Sequence, residues 1–210
     1  MKRSHSMPFG AEYRRDGSVR FRLWAPAARR VELRLEDFPE GKPLALEGCG
    51  RGWFEMVTDA AKPGSRYRFR IDGGQEVPDP ASRFQPLNVH GPSEVIDPNA
   101  FEWQDDAWLG RRWEEAVIYE LHVGAFTRAG TFSAAGEHLD HLSDLGVTAL
   151  ELMPIADFPG RRNWGYDGVY PFAPDSIYGR PGDLKGLVQA AHGRGMMVFL
   201  SSRSQQPRRC

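Results

Sequence analysis

The first candidates for chemistry in this sequence are a carboxylate and an imidazole that lie two residues apart. Glu120 and His122 belong to the apolar run VIYELHV at residues 117–123. In a strand this spacing places both side chains on one face, where they can exchange protons as a general acid and base do. The same pair is typical of a polar network at a strand end. We favour that interpretation here, and also for Glu151 on the next apolar run.

A second group of candidates lies in the long segment at residues 154–182. Loops longer than about 12–15 residues in a compact domain are usually functional or disordered. This loop is rich in aromatic residues, Gly and Pro, which argues against disorder. Asp157, Arg161 and Arg162 lie in it and are as well suited to contacts with ligand hydroxyl groups as to solvent. We therefore expect a functional loop.

The elements that position these residues follow a repeating pattern from residue 117 onward. Apolar runs suited to buried strands alternate with two segments of helical periodicity, one with Ser133 and one with Asp183 as a candidate N-cap. This alternation predicts a parallel sheet with right-handed crossovers. The strands are expected at 117–123, 147–153 and 196–200, and the helices at 133–145 and 183–195.

Three architectures fit this order: a doubly wound sheet, a flavodoxin-like sheet and the start of a (β/α)8 barrel. Gly124 and Gly130 after the first strand do not form a glycine-rich phosphate loop, which weakens the nucleotide-binding alternative. We favour the barrel, in which active sites lie at the carboxyl ends of the strands. Residues 154–182 leave the second strand at that end.

The first third of the sequence predicts antiparallel strands. Apolar and polar residues alternate with a period of two in the segments 19–24, 31–36 and 66–71, which is typical of strands with one buried face. Turns with Asp-Gly, Pro-Gly and Gly-Gly indicate a small sandwich. Prolines are frequent from 77 to 100 and indicate an extended connector, because proline fixes φ and removes a hydrogen-bond donor.

Composition argues against several classes of partner and cofactor. The net charge of -1 provides no strong field that would attract nucleic acid or an anionic membrane. No apolar run resembles a signal peptide or a membrane span, and Cys49 and Cys210 are expected to be unpaired thiols, so we expect a cytoplasmic protein. His138, His141 and His192 show no metal-ligand grouping and are expected at the surface.

Three segments carry a resemblance to a known family. They are IYELHVGAFTRAGTF (118–132), LGVTALELMPIADFPGRRNWGYDGVYPFAP (145–174) and YGRPGDLKGLVQAAHGRG (178–195). These segments resemble the α-amylase superfamily, glycoside hydrolase family 13. The stretch FPGRRNWGYDGV (158–169) is most similar to the maltooligosyltrehalose trehalohydrolases, since branching enzymes and isoamylases usually lack the PGRRN lead. WAP (24–26) resembles the N-terminal sandwich of that family.

The resemblance implies a multi-domain α and β protein. An immunoglobulin-like (E-set) β-sandwich is expected at 8–76, after a disordered N-terminus at 1–7, and a Pro-rich connector at 77–112. Residues 113–200 are expected to form about three strands and two helices of a (β/α)8 TIM barrel, which is incomplete. The tail at 201–210 does not resemble the family.

The activity implied is hydrolysis of the α-1,4 bond between a terminal trehalose and a maltooligosaccharide, a step of trehalose biosynthesis linked to maltooligosyltrehalose synthase. Such retaining hydrolysis needs two carboxylates about 5–5.5 Å apart and no metal or cofactor. In the superfamily these acids follow later strands. We therefore expect no catalytic residue in this chain and an inactive, truncated polypeptide.

The same resemblance identifies a candidate substrate site. Tyr166 and Asp167 match the Gly-Tyr-Asp motif that lines the sugar pocket, where a ring can stack and a carboxylate can accept hydroxyl hydrogen bonds. Asn163 and Trp164 flank them.

Two alternatives remain open. In the first, the chain is part of a glucan branching or debranching enzyme. The other is a non-catalytic α-glucan-binding module, for which Trp24 and Trp53 offer an aromatic pair.

Overall fold

The structure, a computed structural model, describes residues 7–36 and 41–201. Most of the expected disordered terminus, nearly all of the tail and the Cys210 thiol lie outside the described residues. Met7, which we had placed in the disordered terminus, is buried, and its carbonyl accepts a hydrogen bond from Arg20 Nη2 at 2.7 Å. The free Cys49 is exposed.

The N-terminal part is a sandwich of two mainly antiparallel sheets. One sheet has the order β1-β2-β6-β5, and the other has the order β4-β3-β7-β8 with β9 also on β7. The strands are β1 (Gly10–Tyr13), β2 (Val19–Trp24), β3 (Val31–Leu35), β4 (Leu44–Ala45), β5 (Glu47–Gly50), β6 (Trp53–Thr58), β7 (Arg66–Ile71), β8 (Glu76–Val77) and β9 (Ser93–Glu94).

The core of the sandwich follows from the alternation in the sequence. Val19, Phe21 and Leu23 point inward from β2, while Leu33 of β3 and Phe69 of β7 point inward from the other sheet. Each such side chain gains about 1.5–3 kcal/mol on burial. The three strands predicted by periodicity are therefore confirmed.

The Pro-rich segment is more closely integrated than a simple connector. β8 and β9 both pair with β7, so the segment contributes to the second sheet of the sandwich. Asp79, Ser82 and Gln85 are fully buried in it. Asp79 accepts a hydrogen bond from Tyr67 at 2.6 Å, and Ser82 donates to Gln85 at 3.1 Å. Side-chain bonds thus satisfy polar groups where prolines prevent a regular ladder. The boundary at residue 76 stays a prediction.

The C-terminal part has a three-stranded parallel sheet of order β10-β11-β14, which confirms the predicted strand–helix alternation. A 3-10 helix precedes it at Trp113–Glu115. The other elements are β10 (Ile118–Leu121), α1 (Val123–Phe126), α2 (Phe132–Gly136), α3 (Leu139–Asp144), β11 (Ala149–Leu152), β12 (Ala156–Asp157), β13 (Tyr170–Pro174), α4 (Pro181–His192) and β14 (Met197–Leu200).

The first crossover differs from the prediction in its helix. The segment expected as one helix at 133–145 forms α2 and α3, with a break after Gly136, a residue that weakens a helix. Ser133 is not the N-cap. Thr131 has that position, and its hydroxyl oxygen accepts a hydrogen bond from the Ala134 N–H at 3.2 Å. The extended backbone of Thr131 suits a cap.

The second crossover helix also begins differently. Asp183 is not the N-cap of α4 but its third residue, and its carboxylate accepts the Arg180 backbone N–H at 2.8 Å. Arg180 is the capping residue, and Pro181 follows it, where a missing N–H costs nothing. α4 ends at His192, before the Gly195 that the sequence had suggested as the stop.

Several contacts join the N-terminal and C-terminal parts of the chain. Phe9 packs on Phe172, with ring centroids 5.5 Å apart. His192 was expected at the surface, but it is largely buried: Nδ1 lies 2.6 Å from Asp105 and the ring stacks on Trp108 at 4.7 Å. The sequence cannot show that the connector covers this helix end.

Within the described ranges, no helix has the length and apolar character needed to cross a lipid bilayer.

Candidate functional site

The long loop is an ordered arm at the carboxyl end of β11. Its base is the antiparallel pair of β12 and β13. The backbone carbonyl of Asp157 accepts the Val169 N–H at 2.8 Å and closes the loop between them. The segment 158–168 therefore projects from a hydrogen-bonded base, at the end of the parallel sheet where barrel enzymes bind substrates.

The four residues predicted to bind sugar lie together at the end of this arm. Trp164 is 88% exposed and Tyr166 is 45% exposed. Asp167 is also exposed, whereas Asn163 is half-buried. Asn163 Oδ1 accepts a hydrogen bond from the backbone N–H of Gly165, which closes a tight turn. We call residues 163–167 the sugar turn. It presents two aromatic rings and a carboxylate to solvent.

The sugar turn sits directly on the ends of the parallel strands. Gly165 has a φ of +92°, and a Cβ there would lie 3.0 Å from Met153 Cε and 3.6 Å from His122 Cδ2. Met153 follows β11 and His122 follows β10. The left-handed conformation therefore favours glycine, and a Cβ would also force the Met153 side chain to shift. Strand ends and turn are fixed against each other.

His122 lies beneath the turn. Both of its ring nitrogens are buried without a hydrogen-bond partner among the described residues. It is thus not bonded to Glu120, so the structure does not bring together the acid–base pair that the sequence had suggested. Glu120 is instead the register partner of Glu151 across the parallel strands, on the face opposite the helices.

Tyr178 packs edge-on against His122, with ring centroids 6.0 Å apart. Burial raises the pKa of Tyr178 to about 12. The negative charge of Asp175 adds to this shift, and a hydrogen bond with Asn163 opposes part of it. Tyr178 is therefore a neutral phenol at physiological pH, and Asn163 of the sugar turn lies near its hydroxyl.

A pair of buried acids at the base of the arm was not predicted from the sequence. Asp175 accepts the backbone N–H groups of Phe158 at 3.0 Å and Ile177 at 2.8 Å. Asp157 is fully buried, and neither of its oxygens makes a hydrogen bond of good geometry to a described residue. Burial, followed by the charge of Asp175, raises the pKa of Asp157 to about 7, and the Ser176 N–H offsets this only in part.

This burial answers one question that the sequence left open. Asp157 cannot contact a ligand in this structure, whereas Arg161 and Arg162 are exposed. Nothing in the sequence around Asp157 distinguishes a buried carboxyl from a solvated one, because Asp175, the acid near it, follows a different strand. Within the part of the chain that the structure describes, no three His, Cys, Asp or Glu side chains are grouped so as to hold a metal ion.

Comparison with known families assigns both parts of the chain. Residues 8–100 match the family described as carbohydrate-binding module 48, the isoamylase N-terminal domain. Residues 93–202 match the alpha amylase catalytic domain. The sandwich and the parallel sheet therefore correspond to two families that occur with carbohydrate-active enzymes.

Individual relatives are similar over nearly all of the chain. The malto-oligosyltrehalose trehalohydrolase of Saccharolobus solfataricus is 46% identical over 92% of this chain and 34% of the relative. That of Deinococcus radiodurans is 47% identical over 87% of this chain and 29% of the relative. The branching enzyme GlgB of Pseudoalteromonas atlantica is 31% identical over 87% of this chain and 28% of the relative.

A solved structure supports the fold. A crystal structure of a Salmonella typhimurium protein assigned provisionally as an alpha amylase superposes with a TM-score of 0.88 at 48% identity. The match covers 93% of this chain and 33% of that one. The chain thus spans about a third of the length of these relatives. Because the catalytic-domain match covers more than half of its residues, the chain belongs to the alpha-amylase family of glycoside hydrolases.

Proposed function

We propose that these residues belong to a maltooligosyltrehalose trehalohydrolase, which cleaves the α-1,4 bond between a terminal trehalose and a maltooligosaccharide. The observation that carries the proposal is the sugar turn, with Trp164, Tyr166 and Asp167 exposed at the carboxyl ends of parallel strands. Two further observations favour this activity over others in the family. The sequence PGRRN precedes WGYD at the turn, and the relatives include trehalohydrolases.

Each residue of the turn has a role that follows from its chemistry. Tyr166 offers a flat ring on which the C–H face of a glucose unit can stack. The Asp167 carboxylate accepts hydrogen bonds from two sugar hydroxyl groups. Asn163 closes the turn through the Gly165 N–H and so positions both. Trp164 adds a second ring at the rim. The turn thereby orients a neutral sugar without proton transfer.

The bond cleavage itself needs two facing carboxylates in a complete (β/α)8 barrel, one as nucleophile and one as general acid. Glu120 and Glu151 lie within their strands, before the carboxyl ends, so we do not assign them these roles. We expect the 210-residue chain alone to bind glucan and to release no trehalose. Neither a metal nor an organic cofactor has a role in this reaction.

The cellular setting is part of the proposal. We infer a cytoplasmic protein of trehalose biosynthesis that receives its substrate from a maltooligosyltrehalose synthase. A net charge of -1 supports neither nucleic acid nor membrane lipid as a partner.

A glucan branching enzyme is the second candidate, supported by the similarity to GlgB. Both reactions begin by binding an α-1,4-linked glucan, so the sugar turn serves either one. They differ in the acceptor, which is water in hydrolysis and a sugar hydroxyl in branching.

The two candidates can be separated with hybrid enzymes. Residues 8–200 of this chain replace the corresponding residues of the Deinococcus radiodurans trehalohydrolase in one hybrid and of GlgB in the other. We expect the first hybrid to release trehalose from maltotriosyltrehalose and the second to have no branching activity. A folded first hybrid that releases no trehalose, or an active second one, contradicts the proposal.

Within the active hybrid, Tyr166→Ala tests the turn. Loss of a stacking ring is expected to lower kcat/KM at least about tenfold, which corresponds to about 1.4 kcal/mol. Leu109→Ala is the control, because Leu109 is 95% exposed and lies outside the arm. Equal activity of the two variants removes Tyr166 from the proposed site.

A further inference from the structure

The Pro-rich connector makes hydrogen bonds to the arm that carries the sugar turn. Asn88 Nδ2 donates to the Gly160 carbonyl at 3.3 Å. The Tyr170 hydroxyl donates to the Val89 carbonyl at 3.0 Å. Gly160 precedes the sugar turn in the sequence, and Tyr170 follows it at the start of β13. The connector therefore contacts the arm both before and after the turn.

We propose that Asn88 and Tyr170 are positioning residues for sugar binding, because their hydrogen bonds fix the arm and hence the sugar turn. The ligand rests on the proposed function, whereas the hydrogen bonds rest on the geometry of the chain. Each residue acts through the arm rather than on the sugar itself. The connector, which the sequence predicts only as an extended link, thus takes part in the candidate site.

The arm needs support from outside because it has little regular structure of its own. Residues 158–169 contain neither helix nor strand. At the base of the arm the Val169 N–H donates to the Asp157 carbonyl at 2.8 Å, and at its end the sugar turn approaches the strand ends. An irregular segment of this length keeps considerable conformational freedom unless further contacts order it. The hydrogen bond to Gly160 lies between these two points and restricts the segment that leads into the turn.

Asn88 is well suited to this contact. Its backbone has a φ of +74°, a left-handed conformation that asparagine adopts more readily than most residues. Its Oδ1 accepts the Val89 N–H at 2.7 Å, which orients the amide so that Nδ2 donates to Gly160. Aspartate can keep the backbone conformation and the bond to Val89, but a carboxylate has no N–H to donate. Asn88→Asp therefore removes the contact with the arm and places two acceptors opposite each other.

Tyr170 joins the connector to the base of the arm. It is the register partner of Asp157 across the pair of β12 and β13. Val89 is buried, and its carbonyl also accepts a hydrogen bond from Gln85 Nε2 at 3.5 Å. Burial and, next, the charge of Asp157 raise the pKa of Tyr170, so the hydroxyl stays protonated and can donate. Tyr170→Phe keeps the ring and removes only this donor, which leaves the Val89 carbonyl the longer bond to Gln85.

Ring packing holds β13 in the same region. Phe172 of β13 lies 5.5 Å from Phe9 between ring centroids, and the Arg83 guanidinium carbon lies 4.7 Å from the Phe172 centroid. Arg83 is itself held, because its Nη1 donates to the Ala81 carbonyl at 2.6 Å. These contacts act on β13, whereas Asn88 acts on the segment that leads into the turn. The hydrogen bond of Asn88 is therefore the sharper one to test.

NMR of the ¹⁵N-labelled 210-residue chain tests the two hydrogen bonds without any sugar. We expect Asn88→Asp and Tyr170→Phe to shift the backbone amide signal of Gly165 in the sugar turn. We also expect hydrogen exchange of the Val169 N–H to become about fivefold faster, because the arm opens more often when one hydrogen bond is missing.

Matched substitutions elsewhere are the controls. Asn99→Asp makes the same change at an exposed position in another turn of the connector, and Tyr13→Phe makes the same change in β1 of the sandwich. Both are expected to leave the Gly165 signal and the Val169 exchange rate unchanged. If Asn88→Asp and Tyr170→Phe also leave them unchanged, the inference is overturned.

The positioning role is measured in the trehalohydrolase hybrid that carries residues 8–200. We expect Asn88→Asp and Tyr170→Phe each to raise KM for maltotriosyltrehalose about fivefold with kcat unchanged, since the sugar turn binds substrate and transition state alike. A merely structural role would lower the active fraction, so that kcat falls while KM stays the same. That result, or an unchanged KM, contradicts the inference and leaves the proposed function standing.

An inactive original hybrid would reject the proposed function instead. The affinity of the 210-residue chain for maltoheptaose, measured by isothermal titration, then takes the place of KM. Binding that is about fivefold weaker in Asn88→Asp than in Asn99→Asp supports the positioning role. Equal affinity of these two variants, or no binding by the original chain, overturns it.

Discussion

The buried acids at the base of the arm give the sharpest prediction about stability. Replacing Asp157 with Asn removes a carboxyl group that is fully buried and lacks a hydrogen bond of good geometry. In the folded chain its pKa is raised from 3.8 to about 7. Between these two pH values the folded state holds a proton that the unfolded state has released. Stability contributed by this group therefore falls as the pH rises through that window.

The magnitude follows from the size of the shift. Each pKa unit corresponds to about 1.36 kcal/mol, so a shift of about three units sets an upper limit of about 4 kcal/mol. Water that enters near the base of the arm lowers this value. We expect the unfolding free energy of the variant to rise by about 2–4 kcal/mol relative to that of the original chain across this pH window. At pH 4 the carboxyl group of the folded chain is neutral and lacks partners, as the amide of the variant does, so the two chains are expected to differ little in stability. The variant gains stability relative to the original chain as the pH rises to 8.

Urea unfolding at a series of pH values, followed by tryptophan fluorescence at low protein concentration, measures this difference. Asp106→Asn serves as the control because Asp106 is exposed. The curve of its unfolding free energy against pH is expected to remain parallel to that of the original chain. If the Asp157→Asn curve is also parallel from pH 4 to pH 8, Asp157 does not titrate in the way that its burial implies, and the reasoning is wrong.

Further variants test individual contacts. Gly165→Ala introduces a Cβ at 3.0 Å from Met153 Cε in a left-handed turn. We expect this variant to weaken maltoheptaose binding without a large loss of global stability. Unchanged binding would contradict the proposed packing of the sugar turn on the strand ends. Tyr67→Phe removes the 2.6 Å hydrogen bond to buried Asp79 and is expected to cost about 1–3 kcal/mol in urea unfolding; a change below about 0.5 kcal/mol would show that the bond adds little.

The sequence predicts most of the framework because the relevant signals are local. The period of two in β2, β3 and β7 reflects one buried face, and the apolar runs predict the parallel strands β10, β11 and β14. The expected burial of the first of these strands is wrong, because Ile118 and Tyr119 of β10 are exposed. The loop is predicted from its length and composition alone. These features do not depend on which distant residues come into contact.

The sequence-based predictions are wrong where the environment of a residue depends on a segment that is distant in the sequence. His192 has the sequence context of a surface residue, but the connector covers it with Asp105 and Trp108. Asp157 has the context of a solvated loop residue, but the chain returns and buries it near Asp175. The cap positions fail for a smaller reason, because helix boundaries lie within a few residues of the predicted ones. Thr131 caps α2 two residues before Ser133, and Asp183 accepts the Arg180 N–H from the third position of α4.

The central claim is that residues 163–167 receive the sugar, and an NMR titration of the ¹⁵N-labelled chain with maltoheptaose tests it most directly. The account predicts that the backbone amide signals of Gly165, Tyr166 and Asp167 shift together and saturate with one Kd, and that Tyr166→Ala abolishes these shifts. Amide signals of the turn that stay in place while the sugar saturates the chain elsewhere would contradict it.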